Sequence, residues 1–147
     1  MRVTILAIGH KMPSWIQEGF HEYTRRMPPE IRVELTELKP GKDKAEEGGR
    51  ILEALPGGAT LIALDERGKA ITTQGLSVML SEWMRDACHP VLAIGGADGH
   101  SDEVKARAAK LVSLSVLTLP HQLVRVVLAE QLYRAWTILA RHPYHRE

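Results

Sequence analysis

Strand-length apolar runs alternate with helix-spaced apolar stripes along the whole chain, and that alternation constrains the fold more than any other feature. Apolar positions with a period of two, or in short unbroken runs, suit a pleated strand, whereas positions three and four apart line one side of a helix. A chain that switches repeatedly between these periods builds a parallel sheet, because each helix returns the backbone to the edge where the next strand starts. Residues 3–8 are almost wholly apolar, as in a strand buried on two faces. We therefore expect an α/β fold, a mostly parallel sheet with helices on both faces.

Trp15, Ile16, Phe20, Tyr23 and Met27 predict a helix over 14–27, and Ile31, Val33 and Leu35 alternate with charge as a second strand with one wetter face. Residues 39–49 are charged and glycine-bearing, which predicts a mobile loop leading into a short helix at 50–55. A third strand over 60–64 ends in DERGK, whose glycine and charges suit a surface turn. Leu76, Leu80, Trp83 and Met84 form the stripe of the next helix, with Thr72 or Thr73 as its cap. Residues 91–94 form a fourth strand that runs into Gly95-Gly96-Ala97-Asp98-Gly99. Ser101 then caps a helix with Asp102 and Glu103 in its first turn, where the backbone dipole favours anions. A fifth strand over 112–119 is stopped by Pro120, and a last helix over 122–140 ends before Pro143. Neither an internal repeat nor a low-complexity tract divides the chain, so residues 1–147 are expected to form a single domain.

Composition narrows the class further. With 44% hydrophobic and 25% charged residues the chain has the makings of one folded core and not of a disordered segment. Its apolar runs are too short for a membrane span and its first ten residues read as a strand, so a cytoplasmic protein is expected. Cys88 is the only cysteine, which excludes an internal disulfide or a cysteine metal cluster. A net charge of +1 is small for a nucleic-acid binder, so any basic surface must be local. Arg25, Arg26 and Arg32 supply one such place; Arg125, Arg134, Arg141 and Arg146 with His121, His142 and His145 supply another.

Three groups of residues have the chemistry for a site. The glycine cluster lies at the carboxyl end of a strand, where ligands of open α/β sheets bind, although it matches no dinucleotide or phosphate-loop spacing and also suits a plain turn. In the last helix, at about 100° per residue, Arg125 falls on the apolar side with Leu128, Leu132 and Trp136, so its guanidinium must be paired in the interior. His121 lies one turn earlier at the helix entrance, where a site can form; a structural or intersubunit ion pair is the alternative. Glu130 and Arg134 are spaced for an ion pair on the other side. Leu123, Val127 and Ile138 carry apolar surface beyond what one core requires, which predicts a two-fold subunit interface. The tail RHPYHRE offers base stacking, phosphate contacts and a group titrating near neutrality, or else frays in solvent. His142 and His145 lack a third ligand at useful spacing, so no metal is expected.

Taken in order, GHKMPSWIQEGFHEYTRRMP, LIALDERGK, LAIGGADG, LSVLTLPHQLVRVVLAEQLYRAW and HPYHRE cover essentially the whole chain. This series resembles the RlmH family, the ribosomal large-subunit pseudouridine N3-methyltransferases of the SPOUT, or α/β-knot, superfamily. The resemblance implies a homodimer whose C-terminal segment is threaded as a trefoil knot. It also implies an S-adenosylmethionine pocket built mainly from backbone at Leu64, at Gly95 and Gly96, and at Leu114, Ser115, Val116, Leu117, Thr118 and Leu119. Where the family commonly has GGPEG, this chain has Ala97 and Asp98, keeping an acid one methylene shorter and losing a proline. The segment 42–49 is also short.

The implied reaction moves a methyl group from a sulfonium to an imide nitrogen that must lose its proton and whose charge spreads onto two carbonyls. Arg125 and Arg134 are the candidates for orienting the base or gripping phosphate, His121 or His145 for taking the proton, and Tyr144 for stacking. The two arginines lie about 180° apart on one helix and serve one pocket only if the two subunits share it. The implied partner is large-subunit rRNA within the assembled ribosome. A binding protein, a small-molecule methyltransferase and a structural ribosome-associated dimer are the rival readings.

Overall fold

The computed structural model describes residues 1–146. Strands β1 (Arg2–Ile8), β2 (Arg32–Leu38), β3 (Thr60–Ala70), β4 (Pro90–Ile94) and β5 (Lys110–Ser113) alternate with helices α1 (Ser14–Thr24), α2 (Lys44–Ala54), α3 (Thr73–Arg85), α4 (Asp102–Arg107) and α5 (His121–Leu139). The strands form one five-stranded sheet in the order β2-β1-β4-β3-β5. Every pairing is parallel, as the alternating periods predict.

Side-chain alternation sorts the sheet into two faces. Val3, Ile5 and Ala7 of β1, with Ile62, Leu92 and Ile94, pack under α3 and α5 through Leu76, Leu80, Leu128 and Leu132, and Phe20 of α1 packs against the same cluster. Leu6 and Ile8, with Leu61, Ala63 and Val91, pack under Ile51 of α2 and Val104 of α4. Both layers are apolar because helices cover both faces. Each buried aliphatic side chain contributes about 1.5–3 kcal/mol of transfer free energy.

Three expectations change. Residues 39–49 are not a loop throughout: α2 starts at Lys44, and the Asp43 side chain accepts a hydrogen bond from the Glu46 amide as its N-cap. Of the two glycines that disguise this helix, Gly48 is there for packing, since a methyl on it would lie 2.1 Å from Ser101 Oγ. DERGK does not end the third strand in a surface turn: β3 runs on through it to Ala70. Val112 stands opposite both Leu64 and Lys69, so residues 65–68 make an out-of-register excursion within the strand. The fifth strand ends at Ser113, so residues 114–119 are irregular rather than extended. Ser113 Oγ donates to the Ser115 carbonyl (2.8 Å) and the Leu117 amide donates to Ser115 Oγ (2.9 Å), local bonds that compete with a strand.

Candidate methyltransferase site

A cavity of about 530 Å3 opens over the carboxyl ends of β3, β4 and β5. Its walls are Leu64 and Ile94 at the strand ends, Gly95 to Gly99, Leu114, Ser115 and residues 117–120, with His121 and Val124 at the start of α5. Of the donor-pocket residues expected from the sequence, Leu64, Gly95, Gly96, Leu114, Ser115, Leu117, Thr118 and Leu119 meet here. Val116 does not line it and is 95% exposed, and Leu117 reaches the cavity while remaining 69% exposed.

The glycine loop is tight. The Gly99 amide donates to the Gly96 carbonyl (3.1 Å), and Gly99 has φ +80°. A methyl at Gly95 would lie 3.0 Å from the Gly99 backbone, which leaves little room for a side chain, and one at Gly96 would lie 2.7 Å from Glu47 Oε1, so the Glu47 carboxylate would have to shift. Opposite, the Thr118 hydroxyl donates to Glu66 Oε2 (3.2 Å), tying the irregular segment to the excursion of β3. Asp65 and Lys105 form an ion pair (3.6 Å) in the wall.

Two imidazoles line the cavity. His100 is 3% exposed, its Nε2 lies 3.1 Å from the Ala93 carbonyl, and burial holds its pKa below the ordinary histidine value. His121 is also held low, first by burial and then by the Arg125 charge, with Glu47 acting in the opposite direction. A neutral ring with a free lone pair is what a proton acceptor requires.

Arg125 is 1% exposed, and the sequence expectation of an interior pair is met. Its Nη1 bonds Glu37 Oε2 (2.6 Å) and its Nη2 donates to the Gly9 carbonyl (2.9 Å). These contacts hold the turn after β1, where Gly9 has φ +118° and Lys11 φ +58°. Arg125 thus positions backbone next to His121 and lines no part of the cavity.

Arg134, Tyr144 and His145 are gathered elsewhere. Arg134 Nε donates to Glu130 Oε1 (2.9 Å), and its guanidinium lies 4.8 Å from the Tyr144 ring centre. Tyr144 sits 4.7 Å from the Tyr133 ring, over which Arg26 also lies (5.8 Å). Through Arg146 the tail is therefore packed rather than frayed, and Glu147 lies outside the described residues. Its residues Pro143–Arg146 form a 3-10 turn packed on α5, with the Tyr144 amide donating to His142 Nδ1 (3.1 Å). Among the described residues no three His, Cys, Asp or Glu side chains are grouped to hold a metal, and no helix is long and apolar enough to cross a membrane.

A family profile described as "Predicted SPOUT methyltransferase" matches residues 1–145. The chain belongs to the SPOUT methyltransferase family. Proteins named "Ribosomal RNA large subunit methyltransferase H" from Ralstonia pickettii (strain 12J) and Burkholderia lata are 53% and 55% identical to it, each over 99% of both chains. Membership extends to the cavity, the last helix and the tail alike.

Sequence reasoning missed Glu47, Glu37 and His100. Glu47 lay in the segment taken for a loop, although Asp43 followed three residues later by Glu46 is a helix-start pattern. Glu37 and His100 gave no local signal, because their partners Arg125 and Ala93 are brought to them only by the folded sheet.

Proposed function

We propose that this chain transfers a methyl group from S-adenosylmethionine to N3 of a pseudouridine in large-subunit rRNA of the assembled ribosome, as a cytoplasmic homodimer with a knotted C-terminal segment and a single domain over residues 1–147. The observation that carries the proposal is the cavity itself, built from Gly95, Gly96 and residues 114–119 in a chain whose relatives bear that rRNA methyltransferase name over 99% of their length.

The cavity suits the donor. Its volume falls in the range of small-molecule sites, about 300–1,000 Å3. Glycine loop and irregular segment expose peptide groups for adenine edges, and Leu64, Leu114 and Leu119 supply apolar walls. The bound donor supplies an electrophilic methyl group on a positively charged sulfur. Everything else falls to the protein: holding the base in line, accepting the N3 proton and meeting the charge that spreads to its carbonyls.

His121, at the cavity edge and held neutral, takes the proton. Arg134 and Tyr144, with His145, contact RNA from the tail, and Arg125 fixes the turn against which His121 rests. Arg134 and His121 lie on opposite ends and sides of α5, so a complete site draws on both subunits of the dimer. Calorimetry with S-adenosylmethionine, followed by primer extension on assembled ribosomes, free large subunits and free rRNA, tests the reading. The expected result is donor binding to the protein and a modification stop on assembled ribosomes only. Failure to bind the donor would remove the basis of the proposal.

A further inference from the structure

Arg25 and Arg26, at the end of α1, belong neither to the cavity nor to the tail in sequence, yet the fold brings them to the tail. Arg26 lies over the Tyr133 ring of α5 (5.8 Å to its centre) as well as over Tyr23 of its own helix (5.5 Å). Tyr133 in turn packs on Tyr144 (4.7 Å), which carries the Arg134 guanidinium (4.8 Å). A cation thus stands at each end of a pair of tyrosine rings. Each is bonded to a glutamate one turn back on its own helix, Arg26 to Glu22 and Arg134 to Glu130.

At the α1 end the positive charge is in excess. The Glu22 carboxylate serves two guanidiniums: Arg25 donates to Oε2 through Nε (3.2 Å) and Nη2 (2.8 Å), and Arg26 donates to Oε1 through Nη2. One carboxylate cannot neutralise both, and the Arg25 and Arg26 side chains are 55% and 37% exposed. A helix C-terminus favours cations, which accounts for their place on α1 but not for the seat of Arg26 on a ring of another helix. In a chain of net charge +1, binding phosphate requires a local excess of this kind. Arginines interleaved with aromatic rings suit a nucleic-acid strand.

We infer that the end of α1 belongs to the RNA-binding surface: Arg25 and Arg26 grip the phosphate backbone of the substrate strand, and the seat of Arg26 on Tyr133 keeps that grip in register with Tyr144 and Arg134. This rests on rRNA being the substrate. A guanidinium offers more than one donor edge, so each arginine can hold a phosphate while Glu22 stays on another edge. Contacts of this kind position a strand without specifying its sequence. The tail supplies the rings, and α1 supplies the charge that holds the strand beside them.

The test is equilibrium binding of the full-length protein to ribosomes that lack the modification, over a series of potassium chloride concentrations, for wild type, Arg25→Ala, Arg26→Ala, Arg26→Lys and Glu22→Gln. Calorimetry reads S-adenosylmethionine affinity alongside. Loss of either arginine is expected to weaken ribosome binding several-fold and to reduce the slope of log affinity against log salt by about 0.7–0.9, the share of one phosphate contact, with donor affinity unchanged. Arg26→Lys should recover the slope, since it keeps the charge. Glu22→Gln should act in the opposite direction and tighten binding, because it frees both guanidiniums; a merely structural staple would lose affinity in every variant. Arg25→Ala carries the test even where Arg26→Ala folds poorly, because the Arg25 side chain bonds only Glu22 among the described residues. Wild-type affinity and salt slope in both alanine variants, weaker binding in Glu22→Gln, or conversion of a dimer to monomers by the alanine variants, which would make this face a subunit contact, would each overturn the inference. A wild-type protein that binds no ribosome would overturn the rRNA reading and the inference with it, whereas wild-type binding with unaltered variants removes the inference alone.

Discussion

Arg125 is among the largest fully buried side chains in the protein, and its charge is tolerated because Glu37 and the Gly9 carbonyl meet it. Replacing it by alanine removes these contacts, opens a cavity in the core between β1 and α5, and leaves Glu37 unpaired. Urea unfolding of Arg125→Ala should show a loss of about 3 kcal/mol; a loss below about 1 kcal/mol would show that the pair is dispensable. His100 makes a different prediction. Burial lowers its folded-state pKa below the reference value of 6.5, so at acid pH the unfolded chain binds the proton more readily. Its contribution to stability is present above pH 6.5 and is lost as pH falls through the lower folded pKa. The fall in urea midpoint between about pH 7 and about pH 5 should therefore be smaller in His100→Leu than in wild type, and an equal fall would contradict this. Arg125 was legible in the sequence because helical spacing alone places it among Leu128, Leu132 and Trp136. His100 was not, since it follows a glycine loop with no period to say which way a side chain points.

At the scale of elements, the sheet and most helices follow from apolar spacing, and the exceptions share one cause. Glycines and local side-chain bonds override the pattern where two segments approach closely. The helix α2 was hidden by Gly48 and Gly49, although Gly48 is required by its contact with Ser101. The end of β5 was hidden because Val116 and Leu117 read as buried strand residues, whereas the Ser115 turn sends them outward. Gly68 marks the tightest contact in the β3 excursion. A methyl there would lie 2.6 Å from the Leu111 carbonyl carbon, which is backbone and cannot rotate away. Gly68→Ala should cost about 1–3 kcal/mol by thermal or urea unfolding and loosen β5, exposing its amides to hydrogen exchange; unchanged exchange at β5 would refute the packing role. Gly96→Ala drives a methyl against Glu47 and should weaken S-adenosylmethionine binding in calorimetry by more than it lowers stability.

For the whole molecule, two apolar layers on one parallel sheet set a frame in which the cavity and the C-terminal cluster are separate places. The family resemblance named residues that the fold gathers around one cavity, Val116 excepted, whereas the separation of Arg125 from Arg134 followed from helix geometry. The proposed dimer reconciles the two places. Sedimentation equilibrium should give twice the chain mass, and mixing a Gly96→Ala chain with an Arg134→Ala chain should restore part of the activity that each alone has lost. A monomer at working concentration would remove the shared site. The central claim is tested most directly by incubating the protein with labelled S-adenosylmethionine and ribosomes that lack the modification, then digesting the rRNA and identifying the labelled nucleoside by mass spectrometry. The account predicts label in large-subunit rRNA as N3-methylpseudouridine; label in another nucleoside, in small molecules only, or in no rRNA at all would contradict it.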